Sequence, residues 1–174
     1  MATVVRDFLS PILLACQQRL MDVLRWPVDR VRIYNPRKRG VLDVQGDQYV
    51  NLWLGEERAA DRINDAGGRV DTRSYANLHV FLRTRCALDE DASDLYWLTH
   101  PELGHYVWRW AVLDALQIFL VEDAARNALT VCPLHWRQNT DYERDPKMPE
   151  WGHSEAVYVA ELEFDILTSY SPRG

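Results

Sequence analysis

The chain has 174 residues, 47% of them apolar and 26% charged, with 20 basic side chains against 26 acidic ones for a net charge of −6. That length predicts a single domain over residues 1–174, able to bury roughly 70% of its unfolded surface without a metal or disulfide staple. The composition excludes a disordered chain, and its acidic balance argues against a general polyanion-binding surface.

Val5, Phe8, Leu9, Ile12, Leu13, Cys16, Leu20, Val23 and Leu24 recur at three-and-four spacing, which predicts an amphipathic helix over about residues 10–25. Ser10 is its candidate N-cap, Pro11 suits the first position, and Trp26-Pro27 ends it because a residue before proline avoids helical angles. The apolar run from Pro11 to Cys16 is too short for a signal peptide and lacks a cleavage site. No stretch approaches the roughly 20 apolar residues of a membrane span, so no membrane partner is expected.

Arg30 to Tyr34 alternates as a strand, and Asn35 to Gly40 is a turn. Gln48 to Leu54 predicts a second strand ended by Gly55, and the polar segment 56–68, closing on Gly67-Gly68, predicts a loop. Arg69 to Arg85 is a long strand with Leu78, Val80, Leu82 and Thr84 on one face and Asn77, His79, Phe81, Arg83 and Arg85 on the other. Thr99 and Glu102 have the spacing of a capping box, opening a helix that runs to about Val121 with Trp108, Val112, Leu116, Phe119 and Leu120 as core candidates. Leu129 to Cys132 is a short strand. The polar excursion 133–152 after it is long enough to invite a functional reading. In the closing strand Tyr158, Ala160, Leu162, Phe164, Ile166 and Thr168 face one way, and Glu161, Glu163 and Asp165 the other. The order predicts an α+β fold: a mostly antiparallel sheet flanked by two main helices.

The usual signatures of chemistry are missing. His100 and His105 are five apart, whereas a zincin helix needs its histidines at i and i+4, and His135 and His153 stand alone, so no metal is expected. There is no G-x-S-x-G elbow and no glycine-rich phosphate loop, so no cofactor is expected. Cys16, Cys86 and Cys132 are widely spaced beside apolar neighbours and read as buried free thiols. A Cys132/His135 thiolate pair, or acid–base work by Glu161, Glu163 and Asp165, leaves a small hydrolase as one alternative. The same three carboxylates also read as a solvated strand face, or as the wall of a channel that repels DNA.

Arginine and aromatic residues point elsewhere. Only Lys38 and Lys147 are lysines, so 18 of the 20 basic residues are arginine, and there are seven tryptophans and eight tyrosines. These types are enriched in interface hot spots, which makes Arg83, Arg85, Trp136, Tyr142 and Trp151 candidate interface residues. Tyr96, Trp97, Tyr106, Trp108 and Trp110 serve equally as core or contact. A single-strand nucleic-acid binder using Arg83, Arg85 and the aromatics is a further alternative.

The helix from Phe8 to Leu24, the strand pair Val31 to Tyr34 and Tyr49 to Trp53, the long strand around His79-Val80-Phe81, the helix from Glu102 to Val121 and the closing strand Ala160 to Ile166 together resemble the tail terminator (tail completion) proteins of long-tailed bacteriophages. The resemblance covers most of the chain and is one of architecture and amphipathic pattern. It implies a non-enzymatic virion protein, assembled in the host cytoplasm. Such a protein forms a hexameric ring that caps the tail tube and joins it to neck or head-completion proteins. Six copies would carry six times −6, or −36 formal charges, enough for an electronegative lumen, lined by Glu161, Glu163 and Asp165, that passes DNA without binding it. Another head–tail connector or head-completion protein is the nearest alternative.

Overall fold

In the computed structural model, which describes residues 9–33, 48–64, 70–87, 99–102, 104–122, 128–142 and 155–170, seven elements follow one another. They are α1 (Leu9–Leu24), β1 (Val31–Ile33), β2 (Gln48–Asn64), β3 (Val70–Ala87), α2 (His105–Leu116), β4 (His135–Tyr142) and β5 (Glu155–Tyr170). The strands form one sheet in the order β1-β2-β3-β5-β4. β1 runs parallel to β2, and the other three pairings are antiparallel. This is the α+β architecture that the alternation predicts.

Burial follows the period of each element. On β3 and β5 the cross-strand pairs Leu78↔Phe164, Val80↔Leu162 and Leu82↔Ala160 are all 0% exposed. Both helices cover that face: Ile12, Cys16, Leu20 and Leu24 from α1 and Val112, Leu113, Ala115 and Leu116 from α2 join one core with Val31, Val50, Leu52 and Ile166. Polar contacts fix the layer. Gln17 Nε2 donates to the Val31 carbonyl at 2.6 Å. Arg19 Nε donates to the Ala115 carbonyl at 3.3 Å, a cation placed in the last turn of α2 where the helix dipole is negative. α1 ends through Arg25, whose φ of 55° is left-handed, while Trp26 N–H reaches back to the Met21 carbonyl at 3.2 Å. That closure satisfies a carbonyl the helix end would otherwise orphan.

Several sequence expectations change. Ser10 lies inside α1, which already includes Leu9, and so is not its N-cap, and α2 ends at Leu116 rather than near Val121. The segment 56–68, expected to be a loop, is strand through Asn64, because β3 pairs with it across two register irregularities, at Leu54/Glu57 and Ala59/Arg62. Pairing overrides a polar composition here. The second helix starts at His105 rather than behind Thr99. Gly104 is its N-cap, with φ −65° and ψ 141° and no side-chain cap bond. What anchors that end is His105 itself, 1% exposed, its Nδ1 3.0 Å from Thr84 Oγ1 on β3. Leu129 to Cys132 is a series of bends, not a strand, its Leu129 and Val131 N–H groups bonding singly to the Val121 and Leu167 carbonyls. Lacking strand alternation, it buries Thr130 and leaves Cys132 exposed, against the expectation of a core thiol. The excursion 133–152 contains β4, which pairs with β5; residues 143–152 of it lie outside the described residues.

Two outcomes test this core. Phe164→Ala removes a fully buried ring at the centre of β5 and should cost about 3–5 kcal/mol in equilibrium urea unfolding. Burial pushes the Cys16 thiol up from an ordinary 9.0 to about 12. Above pH 9 the unfolded chain loses that proton and the folded one keeps it. Stability should therefore fall as pH rises from 9 towards 12, by about 1.4 kcal/mol per pH unit. Cys16→Ala should flatten that slope in denaturation curves taken across this range.

Candidate functional site

Opposite the helices, the same alternation that builds the core aligns a second set of side chains. Backbone register places Tyr49, Arg83 and Val159 in one cross-strand row, Asn51, Phe81 and Glu161 in the next, and Trp53, His79 and Glu163 in a third. Trp53, Phe81 and Val159 form an apolar cluster of their own. His79 stacks on Trp53 with ring centroids 4.6 Å apart and planes 8° from parallel, and Phe81 stacks on Trp53 at 4.3 Å and 17°.

The carboxylate stripe therefore does not stand on a bare solvated face. Glu161 is 5% exposed and His79 8%, and Glu163 and Asp165 are half-buried. The reason is the neighbouring rings: Glu161 lies in register with Phe81, and Glu163 with His79. His79 Nδ1 stands 3.1 Å from Glu161 Oε1 and 3.7 Å from Glu163 Oε1. One ligand-type atom from each of the three residues lies within 4.8 Å of the others. A buried carboxylate is costly unless paired, and this imidazole is the partner set between two of them. Chemically the constellation can share a proton or hold a cation. Asp165 is compensated separately: with its amide turned to suit its neighbours, Asn77 donates to Asp165 Oδ1 at 3.2 Å and accepts from Arg137 Nη1 at 3.3 Å.

The other sequence candidates scatter. Arg83 shares this face, half-buried, donating from Nη1 to the Tyr49 hydroxyl at 2.6 Å. Arg85 pairs with Val157 in the ladder, and Tyr142 closes β4 opposite Val159. Trp136 lies on β4, 36% exposed, its Nε1 donating to the Gln138 carbonyl at 3.0 Å. Trp151 lies outside the described residues, as do Tyr96 and Trp97. Cys132 and His135 are both exposed and share no hydrogen bond among the described residues. Trp108 is half-buried against Trp26, their centroids 4.7 Å apart. Tyr106 and Trp110 lie on the surface, with the Arg109 guanidinium over both rings.

Sequence reasoning put His79 on the correct strand face and did not connect it to Glu161, 82 positions away. Alternation supplied each face; only the β3–β5 register joins them. Gly55 is a second residue whose role needed coordinates. A Cβ there would stand 2.6 Å from His79 Nε2 and 2.9 Å from its Cδ2.

No protein-family model matches the sequence, and no curated protein matches it. Among solved structures the fold is similar to that of a chain in the virion of a native gene transfer agent particle. The TM-score is 0.53 at 16% sequence identity, over 95% of this chain and 100% of that one. The likeness is one of fold.

Because the His79 ring is held by Trp53 and Glu161, it cannot yield freely to a new methyl group. Gly55→Ala should destabilise the protein by about 1–3 kcal/mol in urea unfolding. In a His79→Ala background the same change should lose most of that effect, a coupling read by a double-mutant cycle.

Proposed function

We propose that this protein is a non-enzymatic virion component, a tail terminator whose copies form a hexameric ring that caps a phage-type tail tube and joins it to the neck. The observation that carries this reading is the fold shared, end to end, with a chain of a gene transfer agent virion. The surface supports it. Leu14, Trp110 and Ile118 on the helix layer are 57%, 58% and 78% exposed, apolar area of the kind that marks contact with other proteins. Trp136 on β4, with Arg83, Arg85, Tyr142 and Trp151, supplies the interface residue types.

On this reading the tube, the neck or head-completion proteins and neighbouring copies are the partners, and the assembled particle is where the protein resides. Glu163 and Asp165, with Glu161 beneath the surface, give the lumen an acidic wall that DNA passes without adhering. No helix among the described residues is long and apolar enough to cross a membrane. A head-completion or other connector role is the second reading, favoured by the same fold likeness and separated from the first by which partner is bound.

Mass measurement of the purified protein, alone and with tail-tube protein, followed by negative-stain imaging, tests the proposal. The expected result is a ring of six times the chain mass, seated on tube ends and limiting their length, and loosened by Trp136→Ala. A protein that stays monomeric and leaves tube growth unchanged would overturn it. Binding on the portal side alone would favour the connector reading.

A further inference from the structure

We propose that His79, Glu161 and Glu163 form a binding site for a divalent transition-metal ion of the Zn2+ type. The inference does not depend on ring formation; an ion bound here would cancel the charge of Glu161 and Glu163 and leave Asp165 to carry the acidic wall proposed above. One imidazole nitrogen and two carboxylates are a donor set such ions accept. Their spacing already approaches coordination. Ligands about 2.0–2.2 Å from a shared tetrahedral ion stand roughly 3–3.5 Å from one another, and Nδ1 is 3.1 Å and 3.7 Å from the two Oε1 atoms. The remaining adjustment is within reach of rotation about the glutamate side-chain bonds.

Charge favours the ion over a bare hydrogen bond. Two carboxylates flank one imidazole nitrogen in a place where Glu161 is only 5% exposed. A hydrogen bond from that one ring nitrogen must be divided between them. A dication engages all three groups at once.

The ring is also held in place before any ion arrives. Stacking on Trp53 at 4.6 Å and 8° fixes its plane, and the missing side chain at Gly55 leaves room for its Nε2 edge. Trp53, Phe81 and Val159 provide the apolar surround that keeps the local dielectric low and strengthens a charged site. The three ligands come from two paired strands, β3 and β5, and are assembled only in the folded chain. Binding should therefore stabilise the fold. Three protein ligands leave a fourth position for water or a group from outside the chain.

The test uses full-length protein stripped with EDTA. Isothermal titration with ZnCl2 and thermal unfolding should show one Zn2+ per chain and a raised Tm, and equimolar MgCl2 should leave Tm unchanged. Glu163→Gln, at a half-buried position that should tolerate an amide, should weaken Zn2+ binding by at least about tenfold. Cys132→Ser should bind as the parent does. Co2+ loaded in place of Zn2+ should give a visible absorption spectrum in the parent that Glu163→Gln loses. The proposal is overturned by a Tm that Zn2+ leaves unmoved, by a Tm rise equal with Mg2+, by Glu163→Gln binding as tightly as the parent, or by loss of binding in Cys132→Ser, which would put the ion on surface groups near His135.

Discussion

The antiparallel pairing of β3 with β5, unbroken from Thr72↔Tyr170 to Ala87↔Glu155, is the constraint on which everything else in the molecule depends. Side chains alternate across a strand, so one register decides two faces at once. It sets Leu78 against Phe164 and Val80 against Leu162 under the helices, and with the same step it sets His79 against Glu163 and Phe81 against Glu161 on the far side. A slip of one residue would carry Glu161 and Glu163 into the helix-covered core and expel Leu162 and Phe164. The apolar cost of that slip is what protects the polar arrangement, which by itself would specify register weakly.

The two faces stabilise the chain by different means. Under the helices, burial is mostly apolar, the Thr84–His105 contact aside, and dispersion and hydration do the work. On the other face, rings are interleaved with ionisable groups: Trp53 lies between His79 and Phe81, and Arg83 is tied to Tyr49. Replacing a buried charged pair by apolar residues is often neutral or stabilising, so this face is not how a chain shaped for stability alone would be built. That contrast sets it apart from the helix layer, which carries the exposed Leu14, Trp110 and Ile118.

Much of this architecture is legible in the sequence, and the limits have physical causes. α1 spans Leu9–Leu24 where three-and-four spacing puts it, since an amphipathic helix reports its own buried face locally. The alternation of Leu78, Val80 and Leu82, and of Leu162, Phe164 and Ile166, likewise gave the core. What stays hidden depends on partners remote in the chain. Residues 56–64 have a polar composition and become strand because β3 is there to bond them. His105 starts a helix because Thr84, on another element, receives its ring. The capping-box spacing at Thr99 and Glu102 had no such support. The site was legible as two halves, a strand face bearing His79 and a stripe bearing Glu161 and Glu163, without the register that joins them. Motif spacing turned attention to His100, His105 and Cys132, where no such constellation forms among the described residues.

β2 outruns its neighbour. β1 covers it only from Val50 to Leu52, so beyond Leu52 its outer edge meets no named strand among the described residues. A long bare edge is a template on which like chains can stack without end, as fibrils do. Here that stretch holds Glu56, Glu57, Arg58, Asp61 and Arg62 and is broken by two changes of register. Charge and irregularity spoil it as a template. A charged sequence and a shifting register make such an edge a poor site for further strands to add.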